Sequence, residues 1–417
     1  MSPRRAAIIE PFKTRNFRFQ WPADLVVSWA MEMETLVLGW YIFTETGSVV
    51  LLTIFASLLF IGTLLAPMFG VAADRIGHRN LLCMMRATYA LLALIMTGAI
   101  FAQLLRPEIA LGIAFLAGLV RPSDHGVRTA LVTEIIPPEH LVSAVSISRT
   151  TFDSARIGGA LVGSGLFAAV GIAPTYVVIT ILHIFGLILT VCISRPPQAT
   201  AEDKAHAEAK SPWKDLGEGL AYIWTNGHLQ AAMWLAFLVN LTAFPLTIGL
   251  LPYVAREVYG TDQTGLGYLL ASFSCGALVG SILLSMFGHR VRSARMMIIF
   301  SIAWHACLLL FTFAEDFSNG LAVLALAGLT QGFCLLPLTI MLMRTSDAAF
   351  RGRVMGVRML AIYSLPIGLV ISGALIEAMG YRAAMTLYML TGIIFTTFIG
   401  VRWYNDIWPR QAPGNAE

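Results

Sequence analysis

The chain has 417 residues, of which 57% are hydrophobic and only 12% charged, with a formal net charge of +4 and a mean hydropathy of +0.74. Soluble domains carry roughly 25% charged residues, so a water-soluble fold is excluded: too little polar chain remains to cover so many apolar segments. The small positive charge reports topology and gives no reason to expect a nucleic-acid partner.

Crossing a bilayer as a helix takes about 20 apolar residues. In chain order, a first span with internal charges is expected over 18–44, then charge-free runs at 47–73 and 87–105. A second charged span covers 109–133. The run 157–194 holds no Asp, Glu, Lys or Arg and is long enough for two spans joined at Gly171-Ile-Ala-Pro174. Charge-free runs follow at 227–255, 263–288, 296–314, 317–343 and 383–401, with a charged span at 354–378. The sum is twelve spans in an all-α integral membrane protein. Met1-Ser-Pro-Arg-Arg has no short apolar core with a cleavage site, so no cleaved signal peptide is expected and the first span serves as its own anchor.

The 28 Lys and Arg residues set the orientation. Connectors on the N-terminal side carry nearly all of them, Arg75, Arg79, Arg86 and Arg128 included, whereas the opposite connectors carry only Arg106, Arg256 and Arg382. Positive connectors stay inside, so both termini are expected in the cytoplasm. The longest polar stretch, Arg195 to Lys214, combines Pro-Pro with charge and alanine and reads as a linker. It divides the chain into six spans at 1–194, a linker region at 195–228 and six spans at 229–417. Trp213, Leu216, Leu220, Ile223 and Trp224 fall at helical spacing, as an amphipathic helix on the membrane surface or as the start of the seventh span.

The halves echo each other. Met68-Phe69-Gly70 recurs as Met286-Phe287-Gly288, and Gly158, Gly163 and Gly171 recur as Gly368, Gly373 and Gly380. Two related six-helix bundles around a midplane site form the architecture of a secondary transporter.

Charges at membrane depth carry the functional expectations. Asp24, Ser28, Glu32 and Thr35 share one face of the first span and should face a central cavity. Glu32 lies nearest mid-membrane, where low dielectric favours a protonated carboxyl; it is a candidate proton site or a structural hydrogen-bonded carboxylate. Glu34 lies on another face. The fourth span carries Arg121, Asp124, His125 and Arg128, and the fifth carries Arg149, Asp153 and Arg156 on one face. These groups form either a structural ion network or a set of partners that exchange during a transport cycle, with Asp124 or Asp153 coupling proton movement. Trp29, Met31, Met33, Phe55, Phe244, Trp304 and Tyr363 are apolar lining candidates. The five cysteines occur singly, as packing residues. No metal-ligand or nucleophile motif appears, and no Gly-x-x-x-x-Gly-Lys-Ser/Thr loop that would bind ATP; an enzyme and a bound cofactor are not expected.

Gly70-Val-Ala-Ala-Asp74-Arg75-Ile-Gly77-His78-Arg79 resembles the signature between helices two and three of the major facilitator superfamily, departing from it at His78. Phe17-Arg18, Gly39-Trp40, Arg121-Pro122, the stretch Pro138 to Ala144 and Arg351 to Gly356 are similar to the exporter branch that includes the enterobactin exporter and macrolide efflux proteins. In the signature, Gly70 permits close helix approach, Gly77 a sharp turn, and Asp74 can face the start of helix eleven near Arg353 to Gly356. The resemblance implies that Gly70, Asp74, Arg75, Gly77 and Arg79 latch the halves on the cytoplasmic side in the outward-open state. It also implies a monomer, and a role in proton coupling for Arg121, which resembles an arginine of proton-coupled exporters. Gly158-Gly159-Ala-Leu-Val162-Gly163 keeps the small residues of the family's antiporter motif but lacks its proline and one glycine.

The expected function is export of a small amphipathic molecule (a drug, siderophore or metabolite) across a bacterial cytoplasmic membrane in exchange for protons. A proton-coupled importer of a polar nutrient and a non-transporting membrane sensor are the alternatives.

Overall fold

The computed structural model describes residues 10–194, 212–287, 292–347 and 350–408, and no strand occurs among them. The first half of the chain holds α1 (Arg15–Thr46), the pair α2 (Val49–Leu58) and α3 (Ala66–Ile76), α4 (His78–Phe101), α5 (Pro107–Ile135), α6 (Leu141–Val170) and α7 (Ile172–Val191). A short α8 (Pro212–Trp224) precedes the second half. There follow α9 (Gly227–Thr242), α10 (Gln263–Phe287), α11 (Ser293–Thr312), α12 (Phe317–Thr345), α13 (Arg351–Ile362), α14 (Ser364–Met379) and α15 (Tyr381–Arg402). The linker 195–211 and Gly288 lie outside the described residues.

Eight of the described helices, with α13 and α14 taken as one, are long and apolar enough to cross a bilayer; α2 and α3, bent by 58°, make a ninth candidate. Helices α5 and α6 have 29 and 30 residues, about 45 Å at 1.5 Å per residue. Length does not set them apart from the others. Like α1 they carry charges near their centres, but α1 keeps an apolar window long enough to qualify.

Three boundaries differ from the expectation. Helix α4 starts at His78 and α6 at Leu141, well before the charge-free runs that announced them. Arg86, expected in a connector, therefore lies inside α4 and is buried, as is Arg128 inside α5. The expected seventh span is not one helix. After α9 the chain continues as Phe244–Ile248 and Leu251–Tyr253, then a π-helical turn at Val254–Val258. Pro245 and Pro252 each remove a backbone donor from the helical ladder, which accounts for the interruptions. Between α8 and α9, Asn226 accepts a hydrogen bond from the His228 amide at 3.0 Å, so α8 is a separate helix.

Gly171 and Gly380, paired in the internal echo, both adopt positive φ, +79° and +82°, in the turns that reverse the chain into α7 and α15. The two glycines have the same task in each half, because only glycine enters this region without steric cost.

The two halves meet at the end of the bundle that carries Gly47. There α2 packs on α14 and α6 on α10. Side chains at Gly267 and Gly373 would collide with Ser164 and Thr53 of the opposite half. The Ser57 hydroxyl donates to the Pro366 carbonyl at 3.2 Å, Arg256 reaches the Phe43 carbonyl at 3.5 Å, and the Phe43 and Tyr253 rings lie 5.4 Å apart. At the opposite end, which carries the Gly77 turn, no hydrogen bond or ion pair joins the halves between described residues. The arrangement is closed at one end and parted at the other.

Candidate functional site

The polar stripe of α1 forms the spine of the site. Asp24 is buried and forms an ion pair with Arg86 of α4, and the Gln20 amide donates to both of its oxygens at 3.0 and 2.9 Å. Arg86 also bonds the Thr190 hydroxyl of α7. One turn along α1, Ser28 accepts from Arg128 of α5 at 2.7 Å. Arg128 pairs in turn with Asp124 and lies 3.7 Å from Asp24. Two carboxylates and two guanidiniums thus join α1, α4, α5 and α7 in one electrically balanced knot. Burying charges is tolerable only when they are paired, and each of the four has an ion-pair partner, although Arg86 Nε and Asp124 Oδ1 are left without a hydrogen bond among the described residues.

Beyond this knot the stripe borders open space. A cavity of about 330 Å³ between the halves is lined by Ser28, Glu32, Thr35, Arg121, Asp124 and Arg156, among others. Its apolar wall includes Met31, Phe60, Phe152, Phe244, Leu266 and Leu270. A second space of about 230 Å³, reaching Val145, Ser148 and Arg149, shares Ser28, His125, Arg128 and Phe152 with the first. The two together lead from the centre toward the parted Gly77 end. Of the apolar lining candidates, Met31 and Phe244 border the cavity, whereas Met33, Phe55 and Trp304 pack in the core.

Arg121 donates to the Thr35 hydroxyl at 2.8 Å and to the Met31 carbonyl at 3.4 Å. It has no carboxylate within ion-pair distance among the described residues. Pro122, the next residue in α5, cannot bond the Gly118 carbonyl. Glu32, half-buried, has no hydrogen bond or ion pair among the described residues. Asp153 is half-buried between Arg149 and Arg156 and feels the field of both, but touches neither closely enough to pair. The structure therefore separates the expected residues into two sets. Asp24, Ser28, Asp124 and Arg128 are locked in the knot, while Glu32, Arg121, Asp153, Arg149 and Arg156 are free of carboxylate–guanidinium contacts.

Arg86, Gln20 and Thr190 complete the knot but were not legible as site residues. Arg86 stands near the predicted edge of a span, where a cation reads as a connector charge. Glu34 points away from the cavity, accepting from the Tyr176 hydroxyl at 3.4 Å with His183 at 3.9 Å. The broken seventh span contributes Phe244, Thr247, Ile248, Leu251 and Pro252 to the cavity; its two prolines were the available signal. His305 of α11 is buried against Thr242 and the Ser301 carbonyl, at 2.9 and 2.8 Å, and does not reach the cavity.

The Gly70–Arg79 segment is disengaged in this arrangement. Asp74 and Arg75 are exposed and form no hydrogen bond or ion pair among the described residues. A side chain at Gly70 would meet open space. Gly77 makes the turn, at φ +85°. Arg79 holds the Ile193 carbonyl beyond α7 at 3.2 Å, and His78 meets Glu134 at 2.6 Å. At the start of α13, where Asp74 was expected to dock, α8 packs on one side, with Glu218 paired to Arg353 at 3.1 Å and Tyr222 stacked on Phe350 at 4.3 Å, while Gly352 and Gly356 face open space.

The chain is 20% identical to macrolide efflux protein A of Streptococcus pyogenes over 278 residues, 64% of this chain and 68% of that protein. The fold is shared with solved transporters. Superposition on the nucleoside transporter NupG gives a TM-score of 0.73 at 14% identity, covering 94% of this chain and 99% of that one. The D-xylose-proton symporter gives 0.64 at 13% identity, covering 94% and 96%. The family model for transmembrane secretion effectors matches residues 6–406, and with a closed-and-parted pair of helical halves around a polar-lined cavity, the chain belongs to this transporter family of the major facilitator superfamily.

Proposed function

We propose that the protein is a secondary active exporter that moves a small amphipathic molecule out of a bacterial cell in exchange for protons. The observation that carries this reading is the cavity between the halves, which mixes an apolar wall with Glu32 and Arg121. Alternating access needs a site that opens to one side at a time, with the halves rocking about it. The chain then spans the cytoplasmic membrane twelve times: the nine candidate spans, α5, α6 and the interrupted seventh span. Both termini face the cytoplasm, the parted Gly77 end is the cytoplasmic one, and the protein works as a monomer without enzymatic chemistry.

Within this reading Glu32 is the first choice for the proton carrier. It borders the cavity and has no cationic partner to hold it ionised, whereas Asp124 is committed to Arg128. Asp153 is the second choice. The Asp74 segment engages the start of α13 in the opposite, outward-open arrangement, where Gly352 and Gly356 leave room for it. The membership in an efflux-type family and the macrolide efflux relative favour export. The fold is equally that of a proton symporter, so import of a polar nutrient is the competing reading.

The test is proton movement in proteoliposomes on addition of candidate substrates, with Glu32→Gln in parallel. Substrate-triggered proton release from acid-loaded vesicles, lost in Glu32→Gln, is the expected outcome. Proton and substrate moving in the same direction would replace export with import, and coupled flux intact in Glu32→Gln would transfer the role to Asp153.

A further inference from the structure

The cavity holds more positive charge than its carboxylates offset. The knot is balanced: Asp24 with Arg86, Asp124 with Arg128. What remains along the two spaces is Arg121, Arg149 and Arg156 from the first half, against Glu32, with Asp153 lying between Arg149 and Arg156. Among the described residues none of these three guanidiniums lies within ion-pair distance of a carboxylate, and Arg156 makes no hydrogen bond. Cations at membrane depth are costly unless a counter-charge is supplied. A guanidinium fork matches planar acidic groups better than any other side chain.

We infer that the transported molecule is an amphipathic anion, held by its acidic group on Arg156 and Arg121 while its apolar body lies against Phe60, Phe152 and Phe244. This assignment rests on the exporter reading for its direction, but the charge preference stands on the arginines alone. Exit of an anion is also favoured by an interior-negative membrane potential.

Carboxyfluorescein and rhodamine 6G share a xanthene frame and differ in the sign of their charge, so they make a matched pair. Binding of each to the purified full-length protein in nanodiscs would be followed by fluorescence polarisation. Carboxyfluorescein should bind more tightly than rhodamine 6G. Arg156→Gln and Arg121→Gln should each weaken the anion by about tenfold or more, the worth of one charge-assisted hydrogen bond, and leave the cation unweakened. Arg156→Lys should restore part of the loss, and thermal unfolding of each variant separates lost binding from lost folding. Equal or tighter binding of the cation, no anion binding, or anion affinity unchanged in the arginine variants would each overturn the assignment. Flux of the same dyes separates the two proposals. Proton-driven export of rhodamine 6G would sustain the exporter and overturn the anion assignment; carboxyfluorescein bound but never moved would do the reverse.

Discussion

Asp24 and Arg86 hold each other inside the first half, and removing one strands the other. Asp24→Asn should cost about 3–5 kcal/mol, the usual penalty for an unpartnered buried charge, read as a lower melting temperature in detergent. Replacing both together, Asp24→Leu with Arg86→Met, should recover most of that loss, because an apolar pair needs no counter-charge. Glu34 offers a contrast with its neighbour Glu32. It sits behind the stripe with Tyr176 and His183, so Glu34→Gln should leave proton coupling intact and lower stability by about 1 kcal/mol, while Glu32→Gln should abolish coupling and leave stability nearly unchanged. Loss of coupling in both variants would mean that the face of α1 does not sort their roles. That Asp24, Ser28, Glu32 and Thr35 share a face was readable from helical spacing. Which of them is paired was not, because the partners come from α4 and α5, 62 and 100 residues away for Arg86 and Arg128.

Among the elements, α8 is the one whose partner the sequence left open. Leu220 and Trp224 of its expected apolar face stay exposed, while the other side packs against α13, with Tyr222 on Phe350 and a hydrogen bond from the Tyr222 hydroxyl to Asp347 at 3.1 Å. Tyr222→Ala should release it, seen as faster amide exchange confined to 212–224 and the start of α13. Uniform exchange across the bundle would argue that the contact contributes nothing local. The interrupted seventh span shows a different limit. A charge-free run from 227 to 255 reads as one helix by hydropathy, because hydropathy counts side chains and proline's defect lies in the backbone.

For the whole molecule, the decisive feature is the closed Gly47 end, where small residues let backbones of the two halves approach. A disulfide between Thr53→Cys and Gly373→Cys, made in a background without the five native cysteines, should form once the backbones part by a few tenths of an ångström, since a Cβ at Gly373 would lie 3.1 Å from the Thr53 Cβ, just inside the usual disulfide spacing. It should stop transport, and reduction should restore it. A cross-linked protein that still transports at the normal rate would mean that this contact need not open during the cycle.

The sequence by itself determined that the chain is a helical membrane protein, where its helices broadly run, and which family signature it bears. Those properties depend on local composition and spacing: a run of apolar residues long enough for a bilayer, a turn that needs glycine, the bias of basic residues toward one set of connectors. The tertiary structure decided which charges are spent on holding helices together and which border the cavity. A buried arginine and a free one look alike in a sequence. Only the arrival of a carboxylate from a distant helix makes one structural, and only its absence leaves the other available to a ligand.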